Sequence, residues 1–329
     1  MTADLLDRGN NGTIPARAMP GPKLNLLIVH TPWNEDISDW LEIKRRIETR
    51  APEIEVRIAT NGSGNSVTRR WQVRRPSLVF APCGLYDLRP RGGTVYAARR
   101  VPKLEQIERL ARQGLPVPRT ARLTRDIVLD PMLWGRHVVA KPQFGIGGGN
   151  VRLLPVRDVV ARHAELTDND AREMLIQAYI EHSHEGLPTS YRVLTMFGTA
   201  LYAMRNRWAR PRAPIEEIAS DGKGVIASNS EEQGREQTLW NDAEIVALAE
   251  RAHSAFPGFP VLGVDVLRDS ETAKLYVVEV NPGGATWHFS SPVARAKQTP
   301  EFLRQRYQQF DGLERAARLL VDRTRAEAR

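Results

Sequence analysis

Lys141 is one of only seven lysines in a chain whose other forty basic residues are arginines. It heads the run VVAKPQFGIGGGN, in which Gly145, Gly147, Gly148 and Gly149 follow it. Glycines placed between two apolar segments let the backbone adopt positive φ and bring its N–H groups close to an anion, and a lysine adds a point charge suited to phosphate. A glycine-rich hairpin with an exposed lysine would read the same way. The order is not that of a Walker A loop, since the lysine precedes the glycines and no GK[ST] follows. A second set of residues lies near the C-terminus, with Asp265 in GVDVLRD and Glu279 and Asn281 in VVEVNP. Residues two apart on a strand point to one face, so Glu279 and Asn281 project together. Two carboxylates and an amide are the oxygen donors that Mg²⁺ takes when phosphates complete its shell. Solvated surface acids are the plain alternative, but an inward carboxylate on a strand as apolar as LYVVEVNP is costly without a cation.

These groups need a scaffold, and the patterning supplies one. Residues 1–23 are rich in Gly, Pro and Asn without an apolar period and read as a mobile arm. LNLLIVH, the helix-spaced SDWLEIKRRIETRA, the alternating IEVRIAT and PSLVFAP give strand, helix, strand and strand, a small parallel-sheet domain over 24–98. LEQIERLARQG then predicts a helix stopped by Gly114, and HVVAKP and VRLLPV flank the glycine loop as strands. A helix in DNDAREM and a strand in LIQAYI complete a second unit over 99–180. The third unit, 181–329, opens with a hairpin around Phe197, Gly198 and Thr199, continues through the helix DAEIVALAERAHSAF and the two carboxylate-bearing strands, and closes with one amphipathic helix carrying Leu303, Tyr307, Phe310, Leu313, Ala317 and Leu320.

In this order the parts resemble the ATP-grasp superfamily, closest to the ligases typified by the ribosomal-protein glutamate ligase and the glutathione-synthetase-like enzymes. The resemblance implies an α/β (α+β) ATP-grasp fold behind an N-terminal parallel-sheet domain. VPKLEQIERLARQGLPVPRT is similar to the family's first lysine segment, which implies that Lys103 contacts the nucleotide. AKPQFGIGGG is similar to the second, with Lys141 on the phosphates beneath a lid containing Gly145, Gly147 and Gly148. LIQAYIE resembles the hinge, where backbone groups of Gln177, Ala178, Tyr179 and Ile180 would hold adenine and Glu181 the ribose. Glu185 is the alternative ribose carboxylate. YRVLTMFG and AMRNR resemble the strands that carry Arg192 and Arg205 toward the phosphoryl groups, and Asp265, Glu279 and Asn281 fall in the two metal strands. Ala178 departs from the family in standing where an acid is common. Asn229 sits near the place of a family asparagine, and Trp287, His288 and Ser290 follow the metal strand where related ligases shape the acceptor pocket, with His288 as a proton acceptor.

The resemblance implies a carboxylate–amine ligase that uses ATP and two Mg²⁺ ions, phosphorylates a carboxylate to an acyl phosphate and passes the acyl group to an amine. The expected partners are small-molecule or peptide carboxylates and amines, and related enzymes often form homodimers. A phosphotransferase using the same nucleotide site, a peptide ester- or amide-crosslinking ligase, and a non-catalytic binder of nucleic acid or another anion are the competing readings. The net charge of +8 attracts anions in general and selects none. No RRM, zinc-finger or KH signature accompanies it, and nucleic acid is not the expected partner. The segment MRNRWARPRAP reads equally as a loop for an acidic acceptor or as a solvated connector. No run approaches eighteen apolar residues, no hydrophobic signal region opens the chain, and Cys83 is the single cysteine. The expectation is a cytoplasmic protein without membrane contact and with a plain structural thiol.

Overall fold

Strands β1 (Leu24–His30) and β4 (Ser77–Ala81), in the middle of the N-terminal sheet, are apolar nearly throughout because both faces are covered, while the edge strands β2 (Ile54–Thr60) and β6 (Thr94–Ala97) are part-exposed. A computed structural model describes residues 23–62, 69–72, 75–124, 126–145, 150–159, 174–220, 234–282 and 287–329. Strand β1 runs parallel to β2 on one side and to β4 on the other, with β6 beyond β4. Strands β3 (Arg69–Gln72) and β5 (Leu88–Arg91) pair as a separate ribbon. Helix α1 (Ile37–Arg50) returns the chain from β1 to β2. Asp36 caps it by accepting from the Ser38 N–H, and it buries Trp40, Ile43 and Ile47.

Helix α2 (Lys103–Arg112) ends near Gly114, whose φ of +68° lies in the left-handed region expected of a helix stop. Strand β7 (Thr120–Arg122), helix α3 (Pro131–Trp134), and strands β8 (His137–Pro142), β9 (Arg152–Pro155) and β10 (Met174–Ala178) build a central antiparallel sheet in the order β7-β10-β8-β9. One face carries Val138, Ala140, Leu154 and Ile176 into an apolar cluster with Trp134. The other carries Val139, Lys141, Leu153 and Gln177. The expected helix in DNDAREM lies, up to Glu173, outside the described residues, as do the N-terminal arm to residue 22, Gly147, Gly148 and Asn229.

The third sheet is the largest. Strands β11 (Ser183–His184), β12 (Leu187–Met196), β13 (Thr199–Trp208), β14 (Arg235–Leu239), β15 (Val261–Arg268) and β16 (Leu275–Asn281) run antiparallel in the order β14-β13-β12-β15-β16, with β11 on β12. The hairpin forms where expected, turning at Phe197 and Gly198 with φ of 48° and 87°. Helix α4 (Ile215–Ser220) packs on β9, and helix α5 (Ala243–His253) packs with α2 against the Val193, Val264 and Val266 face. The opposite face joins Leu194, Met196 and Tyr202 to Trp40 of α1 and Phe80 of β4 in one continuous core.

The closing amphipathic helix is not one helix. Helices α6 (Pro292–Lys297), α7 (Pro300–Gln309) and α8 (Gly312–Glu327) follow one another, and the expected continuous face is broken at Phe310 and Asp311. Asp311 takes φ of 50°, and a Cβ at Gly312 would stand 2.4 Å from the Phe289 ring. Glycine at 312 is what lets the chain pass so close to Phe289. Helix α8 then runs back against α1, and Arg329 exchanges backbone hydrogen bonds with Ser77. Among the described residues no helix is long and apolar enough to cross a membrane.

Candidate active site between the central and large sheets

Strand register brings the charged groups together. Arg192 on β12 lies opposite Asp265 on β15, and Asp265 lies opposite Glu279 on β16. Directly opposed residues share a face, so the three form a row across the large sheet. Arg192 donates from Nε and Nη2 to the two Asp265 oxygens at 2.7 Å each, and Asn281 Nδ2 donates to Asp265 Oδ2 at 3.0 Å. Burial works against the Arg192 charge, but Asp265 outweighs it and leaves the pKa raised. Lys103, at the start of α2, stands 3.5 Å from Glu279 Oε1 and donates to the Gly145 carbonyl at 3.4 Å. Gln106, one turn further along α2, accepts from the Val280 N–H at 3.1 Å and ties the helix to the carboxylate-bearing strand.

Lys141 completes the cluster from the central sheet. Its ammonium donates to Gln177 Oε1 at 3.0 Å and to the Val278 carbonyl at 3.3 Å, and the residue is 7% exposed. Both acceptors are neutral. Burial pushes its pKa down to about 8, with Glu279 opposing and Lys103 adding to the shift. A depression of that size corresponds to about 3 kcal/mol spent on keeping the ammonium charged. A polyphosphate laid against Lys141 and Lys103 would relieve that cost, so the lysine pair fits a nucleotide. Asp265, Glu279 and Asn281 likewise fit Mg²⁺ in donor type. Among the described residues no group of three or more His, Cys, Asp or Glu gathers. A cation here would find two carboxylates and the Asn281 amide, and phosphate and water would fill the rest of its shell.

At the hinge, the Gln177 side chain is spent on Lys141 and on Thr120, to whose hydroxyl it donates at 3.0 Å. Ala178 and Tyr179 donate their N–H groups to the carbonyls of Arg119 and His137, and the Ile180 carbonyl accepts from His182 Nδ1 at 2.8 Å. Glu181 accepts from Tyr179 OH, the Ser183 N–H and Arg212 at distances of 2.9 to 3.0 Å. Burial favours its neutral form, yet Ser183 and Arg212 prevail and hold its pKa below the usual range. Glu185 sits apart in an exposed turn, with φ of 52° and Arg207 as its ion-pair partner. The basic segment thus resolves into the end of β13 and into Arg212, which the sequence did not single out and which also stacks over Tyr179 with its guanidinium 5.5 Å from the ring centroid.

Three expected residues lie elsewhere. Arg205 pairs with Tyr191 in register, not with Arg192, and so points from the opposite face of the sheet. Its guanidinium stacks 4.3 Å from the Trp240 ring centroid. Trp287 and Ser290, expected at the acceptor, are buried. Trp287 Nε1 and Ser290 Oγ both donate to Asp39 Oδ2, at 2.8 and 2.5 Å, and Tyr307 donates to the other oxygen at 2.8 Å. They anchor the chain after β16 to α1 instead of lining a pocket. His288 alone of that trio is part-exposed. Its pKa falls to about 3, first through burial and then through the charges of Arg192, Arg306 and Arg235, so the imidazole is neutral at pH 7.

A family model for the ATP-grasp domain matches residues 101–286. No curated protein matches the chain. Among solved structures, D-cycloserine synthetase DcsG is similar with a TM-score of 0.54 at 16% identity, covering 91% of this chain and 99% of that one. The macrocyclase MdnC from Microcystis aeruginosa MRC, bound with precursor peptide MdnA, has a TM-score of 0.51 at 10% identity, covering 91% and 99%. The D-alanine–D-alanine ligase from Bacillus anthracis has a TM-score of 0.50 at 13% identity, covering 92% and 99%. At such identities the structural likeness establishes the fold, while the family model spans the strands and loops that carry both lysines, Arg192 and all three oxygen donors. The chain belongs to the ATP-grasp family.

Proposed function

We propose that the protein is an ATP-dependent carboxylate–amine ligase acting on an amino acid or peptide through an acyl phosphate. Enzymes of the family are ATP-dependent ligases that form C–N bonds. The observation that carries the reading is the convergence of Lys103, Lys141, Arg192, Asp265 and Glu279 from three separate segments on one row of the large sheet. A carboxylate is a poor electrophile because its charge repels a nucleophile and its oxygen leaves badly. In the proposed reaction a carboxylate oxygen attacks the γ-phosphorus of ATP, the bond to the bridging oxygen breaks and ADP departs. An amine nitrogen then attacks the acyl carbon, the C–O bond breaks, phosphate leaves with the electron pair, and the nitrogen gives up its proton.

This chain's own residues have to hold anions together and exclude water. Lys103 and Lys141 would take the phosphates below Gly145, and the Ile180 end of the hinge would take adenine. Glu181 is the better placed ribose carboxylate, because it lies partly buried beside that hinge while Glu185 projects into solvent. Asp265, Glu279 and Asn281 would hold two Mg²⁺ ions, whose charge offsets that of the phosphates. His288, expected as proton acceptor, is made only weakly basic by burial and the nearby guanidinium groups, and the departing phosphate would take the amine proton more readily. ATP and Mg²⁺ in the cytoplasm suit this reaction.

The test incubates purified protein with Mg-ATP and pooled amino acids and peptides. The expected products are lighter by one water than the sum of two inputs and appear with ADP and phosphate. A phosphorylated product without condensation would make the protein a kinase, and absence of ATP turnover with every pool would end the reading.

A further inference from the structure

The ion pair at Glu181 is built the wrong way round for a surface contact. In an exposed pair the arginine lays its stem along the protein and keeps its charged end in water. Here the Arg212 side chain is only 7% exposed, while that of Glu181 keeps 30% of its surface open. The guanidinium is therefore the inner member and the carboxylate the outer one. Arg212 Nη2 donates to Glu181 Oε1 and Oε2 at 3.0 and 2.9 Å, the Ser183 N–H donates to Oε1 and the Tyr179 hydroxyl to Oε2, each at 3.0 Å. Both oxygens are fixed, and with them the plane of the carboxylate. A carboxylate accepts at about four positions, so three donor groups leave capacity for a sugar hydroxyl.

The clamp joins distant parts of the chain. The Glu181 carbonyl accepts from the Ser270 N–H at 2.8 Å, in the turn between β15 and β16, which ties its backbone to the strands that carry Asp265 and Glu279. Arg212 arrives on the segment 209–214 that leads from β13 to α4. Ile218 and Ala219 of α4 pack on Leu153, with Val139 and Tyr179 against them, on the face of the central sheet that presents Lys141 and Gln177. The guanidinium stands over the Tyr179 ring, so one residue both supports Arg212 and donates to the acid it grips. Burying a guanidinium is costly, and Arg212 leaves its Nη1 without a hydrogen-bond partner among the described residues. Packing alone would be served by an apolar side chain without that cost.

We propose that Arg212 is a positioning residue for nucleotide recognition, which holds the Glu181 carboxylate in the orientation that receives the ribose hydroxyls and touches no nucleotide itself. This rests on the ligase reading, in which Glu181 meets the ribose of ATP. Selection of ribose over deoxyribose then depends on the basic segment between β13 and α4 as well as on the hinge.

The readout is the ratio of the dissociation constants of Mg-2′-deoxy-ATP and Mg-ATP, measured by calorimetry on each protein. A loosened hinge weakens both nucleotides alike and leaves the ratio, whereas a carboxylate that has lost its orientation lowers it. The ratio of about ten in the unmodified protein should fall to about two in Arg212→Gln. Arg212→Lys keeps the charge without the planar fork and should lie between them. Tyr179→Phe keeps the ring beneath the guanidinium, removes one donor to Glu181 and should lower the ratio by about twofold. In a Glu181→Gln background, Arg212→Gln should change the ratio no further. A ratio above about five in Arg212→Gln overturns the assignment, and a rise would place the guanidinium in competition with the ribose. If Arg212→Gln does not fold, an unchanged ratio in both Arg212→Lys and Tyr179→Phe overturns it. So does an unmodified protein that binds both nucleotides equally. Failure of the unmodified protein to bind Mg-ATP at all would instead sink the ligase reading on which the assignment stands.

Discussion

The two faces of the large sheet treat the same residue type in opposite ways. On one, Arg192 meets Asp265 through two short hydrogen bonds in a charged cluster where Lys103, Lys141 and Glu279 also converge. On the other, Arg205 lies flat against Trp240 beside Tyr191, with α5 and α2 packed over the neighbouring valines. The two arginines belong to adjacent strands and differ by one step of register, since Arg192 opposes Met204 and not Arg205. One step is enough to exchange a carboxylate cluster for an aromatic stack, because every residue changes face when the pairing shifts by one. An arginine in a strand thus acquires its function from the register of its neighbours.

Replacing Arg192 should produce the largest contrast. Arg192→Gln removes the charge expected at the transferred phosphoryl and also leaves Asp265 without its bidentate partner. Turnover should fall by about 10² to 10³-fold, as for loss of one preorganised donor to a developing oxyanion. Single-turnover measurements at saturating Mg-ATP would check it, and activity within a few-fold of the unmodified protein would erase the functional difference between the faces. The hinge offers the next effect. Wild-type protein should prefer ATP to 2′-deoxy-ATP by about tenfold if a carboxylate binds the ribose hydroxyl. Glu181→Gln should abolish the preference and Glu185→Gln should keep it, which separates ribose contact from the loss of the Arg212 ion pair.

A smaller effect comes from Lys141, whose pKa is depressed to about 8 by burial. Phosphate bound beside it restores the charged form and raises that pKa, so nucleotide binding takes up a proton when the empty site is partly deprotonated. The sign follows: affinity for Mg-ATP should weaken as pH rises, by about fourfold between pH 7 and 8.5. Calorimetry at pH 8.5 in buffers of different ionisation enthalpy should report uptake of roughly 0.7 proton. Lys141→Met should remove the uptake, and the same uptake in that variant would assign the linkage to another group.

Most of the architecture was readable because apolar runs and glycine punctuation act locally. The run LNLLIVH became β1, the hairpin turned at Phe197 and Gly198, and the run VVEVNP placed Glu279 and Asn281 on one face. What the sequence could not disclose are facts of pairing between distant strands. Arg205 looked equivalent to Arg192 because composition carries no register. Trp287 and Ser290 looked available beside the metal strand, yet their partner Asp39 lies about 250 residues away in the chain.

Arg205 supplies the smallest expected effect and the cleanest test of the comparison. Its guanidinium covers Trp240, and among the described residues its Nε is buried without a hydrogen-bond partner. Stacking a cation on a partly buried indole contributes about 0.5–1 kcal/mol, from which the cost of the orphaned Nε must be subtracted. Arg205→Gln should therefore shift the denaturation midpoint only slightly and leave turnover and Mg-ATP affinity within about twofold. Arg205→Met, which keeps the stacking length without the buried charge, should be at least as stable as Arg205→Gln. A large loss of turnover in both variants, with their stability intact, would mean that register does not decide which arginine reaches the phosphoryl group, and the distinction between the two faces would collapse.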